Sequence, residues 1–255
     1  MKITVGDAMI AETTDRPLTS TPRFDFRDLQ LIVAEYADPA GREEQLSDTF
    51  GSMQWLWSQD EHFRFDRGSR ELSSATFFVP QLYVSVPPGR TARDRPRTRA
   101  CGLRAGAARE FAMPRTTVFH CPPEATELLC LQDIDILDRE LDARLGIAPD
   151  VALLVQRGAV VGWSIRDPAR YLTDGFHDPQ PSLPDPATRL RLAECLELVS
   201  SPLVDLVMDE DEEAWRRLRA TEHALREQRN DRQRAEILRG VISRLIEDYD
   251  PEPRS

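Results

Sequence analysis

Lysine is all but missing from this chain. Lys2 is the only one, and every other of the 33 basic residues is arginine. So strong a bias fits a GC-rich coding genome, and a bacterial source is expected. It also excludes Schiff-base chemistry and the phosphate-gripping lysine of a P-loop, because a lone lysine at the second position is not placed to be held in a pocket. Cysteine is scarce too. Cys101, Cys121, Cys130 and Cys195 lie far apart and form no C-x-x-C pair. Reduced, buried thiols in a reducing cytoplasm are the expectation. No apolar run approaches the roughly 20 residues that span a bilayer, so no membrane association is expected. Positive charge does not prevail either. The net charge of −11 opposes attraction to nucleic acid over the surface as a whole, and any such contact has to be local. The G-x-S-x-G, Walker, dinucleotide and H-E-x-x-H patterns are absent, and neither a cofactor nor a metal is called for.

What the chain does have is core material, 40% hydrophobic residues over 255 positions. The centre of it is Val151–Asp167 (VALLVQRGAVVGWSIRD), two apolar runs around Gln156-Arg157-Gly158 that spell a hairpin. Apolar residues at successive positions mark strands buried on both faces, and helices are expected to cover them. Around this hairpin the spacing predicts a helix over Phe26–Tyr36 and a second from Gly41 to about Ser58. Ala75–Val86 reads as a β-prone run broken at Pro80 that could pair with the hairpin, and Thr116–Cys121 as a further strand. Leu128 to Leu145 recurs every three or four residues as in a helix. The alternative is a strand at Glu127–Gln132 followed by a helix capped by Asp133.

The expected fold class is α+β: an N-terminal mixed sheet with flanking helices around the central hairpin (residues 1–176), then an all-helical C-terminal module (188–255). Between them Pro179, Pro181, Pro184 and Pro186 make 177–187 a stiff connector. In the module Asp185 and Pro186 open one helix and Asp209–Glu213 precede another. A turn at Asn230-Asp231 divides the remainder, unless one long helix is solvated there.

Function is carried by no complete signature, and several partial ones stand beside simpler readings. Residues 87–109 form a Pro-punctuated loop with seven arginines, among them Arg93, Arg95, Arg97 and Arg99. Such a cluster grips phosphates bidentately or docks on an acidic protein, or is simply solvated. The C-terminal stripe Leu238, Val241, Ile242, Leu245 and Tyr249 makes one helix face apolar, for a partner or for packing on its own module. Trp55, Trp57, Phe63 and Phe65 are expected in the core. Asp133, Asp135 and Asp138 serve capping and solubility more readily than magnesium, and His120, Cys121 and Cys130 lack a fourth zinc ligand.

Val160–Tyr171 (VVGWSIRDPARY) resembles the last strand and nucleotide-facing turn of CBS domains. The resemblance implies nucleotide contacts at Ser164 and Asp167, although Pro168 departs from the pattern and no second copy is present. Arg217 and His223 resemble the arginine–histidine pair of HEPN-type ribonucleases. Solvated helix charge is the simpler account, since Arg219 and His223 are the true i,i+4 neighbours. The combined expectation is a non-enzymatic interaction or regulatory subunit of a bacterial multi-protein system. It would bind a protein partner, or itself, through the arginine loop and the C-terminal helix. The alternative is an enzyme or sensor for a phosphate-bearing ligand, nucleotide or nucleic acid.

Overall fold

A computed structural model of the chain describes residues 1–7, 9–52, 61–86 and 96–249. Their element order is β1 (Lys2–Gly6), β2 (Met9–Thr14), β3 (Arg23–Asp25), β4 (Gln30–Val33), α1 (Pro39–Asp48), β5 (Thr49–Gly51), β6 (His62–Asp66), β7 (Leu72–Phe78) and β8 (Leu82–Tyr83). There follow β9 (Thr98–Ala100), β10 (Gly102–Ala105), β11 (Val118–His120), β12 (Glu127–Leu131), β13 (Ala143–Ala148), β14 (Val151–Gln156), β15 (Ala159–Arg166) and β16 (Leu172–Thr173). The chain then turns helical through α2 (Pro186–Leu198), α3 (Leu203–Met208), α4 (Glu212–Glu227) and α5 (Arg232–Tyr249). The class is α+β, with two mixed sheets followed by helices.

The hairpin β14–β15 forms as its sequence predicts, with Arg157 and Gly158 both at positive φ in the turn. It lies inside a ten-stranded sheet in which β15 joins β14, β13 and β9 on one side to β12, β1 and their neighbours on the other. Every residue of β14 is buried. The pleat sends Leu153, Val155, Trp163 and Ile165 into the main core, where Trp163 meets Phe77 of β7 with ring centroids 5.0 Å apart. Leu154 points the other way, into a smaller cluster with Val118, Leu129, Leu131 and Ile136.

Both faces are thus covered, but not by helices as the buried pattern implied. One face meets the second, six-stranded sheet (β16-β3-β4-β7-β6-β5), and the other carries a 3-10 turn over Ile134–Asp138. A sheet satisfies the same demand for apolar contact as a helix, and sequence spacing does not tell them apart. For the same reason β7 pairs with β4 and β6 in the opposite sheet, not with the hairpin.

Three expected helices need correction. Phe26–Tyr36 holds a tight turn with Leu29 at φ 49° and strand β4. Leu31, off the presumed helical stripe, is fully buried there. Of the helix expected over 41–58, the described residues show α1, begun by Asp38, whose Oδ1 accepts from the Gly41 amide at 2.8 Å. It buries none of its residues and gives way to β5 at Thr49, while Met53, Trp55 and Trp57 lie outside the described residues. Leu128 to Leu145 is strand, 3-10 turn and strand, close to the alternative reading, with Asp133 capping through the Asp135 amide (2.8 Å). Leucines on both faces of β12 are buried, which imitates a three-four spacing.

The helical region follows its local signals. Asp185 caps α2, accepting from the Ala187 amide at 2.8 Å, Asp211 caps α4, and a turn before Arg232 separates α4 from α5. Its apolar faces merge with the sheets: Leu172 of β16, Leu192 and Leu196 of α2, Leu218 and Leu225 of α4 and Leu238 and Ile242 of α5 belong to one continuous core. Arg234, at 0% exposure, ties α5 to the preceding chain. Its guanidinium reaches Asp231 (2.9 Å) and the carbonyls of Gln180 (3.0 Å) and Ser182 (2.7 Å). All four thiols are buried.

Candidate anion-binding cleft

The arginine loop expected over 87–109 needs correction, since β9 and β10 lie within it. Strand β9 runs parallel to β13 in a register that places Thr98 beside Arg144, so Arg97, just before β9, arrives next to Arg144. A two-residue turn, Pro149-Asp150, joins β13 to β14, with Asp150 at φ 57°. Arg166 ends β15 across from it, its amide donating to the Asp150 carbonyl at 3.0 Å. The chain then enters a 3-10 turn over Pro168–Tyr171, which supplies Arg170. These pieces enclose a cleft of about 810 Å³ whose walls include Arg97, Arg144, Arg166 and Arg170, with Asp150 as the lining carboxylate among the described residues. That size is within the range of small-molecule sites.

The polar groups are set by one another. Asp150 takes Arg166 Nη2 on Oδ1 at 2.6 Å and the Tyr171 hydroxyl on Oδ2 at 2.7 Å. Burial, and then the bond to that carboxylate, hold the Tyr171 phenol well above its ordinary value. Arg144 is mostly enclosed, its side chain 13% exposed. One terminal nitrogen serves both Glu127 and the Ser164 hydroxyl, the latter at 2.9 Å, while its buried Nε has no hydrogen-bond partner. Arg166 is paired with Asp150 in the lining and Arg144 with Glu127 behind it, which leaves Arg97 and Arg170 as the excess positive charge of the described lining, and an anion entering it would find planar, bidentate donors.

Of the residues expected from sequence, Arg97 and Arg99 are exposed. Arg97 lines the cleft and Arg99 reaches Thr13 Oγ1 at 3.1 Å. Arg93 and Arg95 lie outside the described residues. Ser164, 1% exposed, sits behind Arg144. Asp167 adopts a left-handed backbone (φ 48°) with no side-chain cap bond; its two oxygens accept from Arg189 Nε and Nη2 of α2, each at 2.8 Å. On α5, Leu238 and Ile242 are fully buried within this chain. Val241 and Leu245 pack partly buried against the same core, and Tyr249 is 39% exposed. Arg217 pairs with Glu197 at 2.8 Å, while His223 on the same helix is exposed.

Burial pushes the Cys121 thiol up to about 12 and that of Cys130 well above its usual value. His120 Nδ1 lies 3.1 Å from the Val84 carbonyl. Among the described residues no group of three or more His, Cys, Asp or Glu is placed to hold a metal, and no helix is long and apolar enough to cross a membrane.

The sequence reading missed Arg144, Asp150, Arg166, Arg170 and Tyr171. Arg166 and Arg170 flank the Asp167 of the quoted motif and were visible there. Arg144 reaches the cleft only through strand register, which spacing along one segment does not reveal. Compared with protein-family models, curated proteins and solved structures, the chain matches none.

Proposed function

We propose that this chain is a regulatory or interaction subunit of a bacterial cytoplasmic system that recognises a phosphate-bearing anion at the Arg97–Arg144–Arg166–Arg170 cleft. One observation carries the reading: four arginines from four separate stretches of the chain converge on one cavity. Scattered solvated charges have no reason to meet in this way, and guanidinium forks match phosphate oxygens. A protein partner, or a second copy, would then sense the loaded state. Nucleic acid would have access only through the arginine loop.

Thermal unfolding of the full chain against inorganic phosphate, pyrophosphate and nucleotides tests this. A ligand at about 100 times its dissociation constant stabilises by roughly 2.7 kcal/mol. The expected result is a rise in Tm with at least one compound, abolished by Arg166→Ser combined with Arg170→Ser. If no phosphate compound moves the Tm, the reading fails.

A further inference from the structure

The cleft does not end at Tyr171. A second cavity of about 680 Å³ shares Thr19, Pro149, Arg170 and Tyr171 with it, so the two are lobes of one groove with Arg170 at the junction. The lobes differ in charge. The first sets four arginines against Asp150 and the Glu127 that pairs with Arg144, a positive excess of two. The second balances Arg23 and Arg170 with Glu35 and Asp178, and adds the hydroxyls of Ser20 and Thr21 and the amide of Gln180. An anionic group is therefore favoured at one end only, and the other end suits a neutral body rich in hydrogen-bonding groups.

Each lobe also contains an arginine with a buried, unpartnered Nε: Arg144 in the first, and in the second Arg23, 3% exposed, whose other nitrogens reach the carbonyls of Phe176 (3.0 Å) and Ala34 (3.4 Å). Buried polar atoms ordinarily find partners. Both atoms are enclosed by their own surroundings, as is Nε of Arg234 away from the groove, so it is the exposed nitrogens of Arg166 and Arg170 and the hydroxyls of the second lobe that face a ligand.

Resting on the anion-site reading above, we infer that the ligand is an organic phosphate ester. Its phosphate lies among Arg144, Arg166 and Arg170, and its hydroxyl-bearing body, nucleoside or sugar, crosses Tyr171 into the lobe of Ser20, Thr21 and Gln180. Inorganic phosphate would fill the first lobe and leave the second empty. A polyphosphate would place charge where the lining is balanced.

Calorimetric titration of the full chain with AMP, glucose 6-phosphate, inorganic phosphate and pyrophosphate decides this. At least one ester should bind ten times or more tighter than either inorganic anion, and which ester leads identifies the body as nucleoside or sugar. Ala37→Trp, at an exposed position lining the second lobe, should bring the ester down to the affinity of inorganic phosphate and leave the inorganic anions unchanged. Thr21→Trp, also exposed, serves as a second block should the first variant fold poorly. Inorganic anions binding as tightly as the esters, or an ester preference that survives both blocks, would overturn the inference and leave the anion site standing. Binding of none of the four would remove both.

Discussion

Replacing Arg234 by alanine is the sharpest test of how this chain is held together. The guanidinium is wholly enclosed and meets Asp231, itself 6% exposed in its side chain, together with the carbonyls of Gln180 and Ser182. Removing it strands a buried carboxylate and two carbonyls. Breaking a buried pair in this way costs about 3–5 kcal/mol, a large share of the roughly 5–15 kcal/mol that keeps a domain folded. Asp231 keeps two donors, the Thr188 hydroxyl (2.8 Å) and the Asp185 amide (3.1 Å), which favours the lower end of that range. At about 3 °C per kcal/mol for a chain of this size, the Tm should fall by roughly 10 °C. Urea unfolding followed by the fluorescence of buried Trp163 and Trp215 measures the loss. Limited proteolysis should show new cleavage between 177 and 185. A loss below about 1 kcal/mol, or helices that melt apart from the sheets in the parent protein, would refute the claim that Arg234 and the shared core bind the two regions into one cooperative unit.

Two further outcomes follow from burial. Burial pushes the Glu61 carboxyl above its ordinary 4.5, against the opposing bonds from Thr116. The folded chain therefore keeps that proton to higher pH than the unfolded chain. The stability it contributes is complete below 4.5 and is lost as pH rises through the folded value. Glu61→Gln, with no proton to lose, should match the parent near pH 4 and exceed it at pH 8, each tenfold displacement of the equilibrium being worth about 1.4 kcal/mol. An equal difference at both pH values would sink this account. Two glycines should respond in opposite directions. A Cβ on Gly162 would stand 2.3 Å from the Cys130 carbonyl, so Gly162→Ala should cost about 1–3 kcal/mol. At Gly240 of α5 nothing lies within 4 Å, and Gly240→Ala should gain up to about 1 kcal/mol. Denaturant midpoints of the two variants provide the comparison.

The hairpin, the α+β class and the C-terminal helices were legible because each rests on a local signal: the Arg157-Gly158 turn, Asp185 with Pro186, the acidic entry to α4. What failed was choosing between periods where a segment is buried on both sides. In β12 and β4 apolar residues occupy consecutive positions, and a three-four spacing can be found in any such run. The cleft was half visible. Arg97 was singled out for the charge around it, and Asp167 for a motif in which its neighbours, Arg166 and Arg170, line the cavity. Arg144 comes from a strand that had been read as helix. Once β13 is a strand parallel to β9, Arg97 and Arg144 fall together, and the hairpin with the turn after it adds Arg166 and Arg170.

The four buried cysteines provide the chain with built-in clocks. Cys195 sits in α2, Cys130 in β12, Cys101 between β9 and β10, and Cys121 just after β11, all with thiols raised by burial. A thiol reagent needs the thiolate and a path to it, so each sulfur reacts only when its own neighbourhood opens. Variants that retain one cysteine at a time would time the opening of the helical layer, the sheet centre and the strand that leads into the cleft, each against the same label. Ligand in the cleft should slow Cys101 and leave the rate at Cys195 nearly untouched.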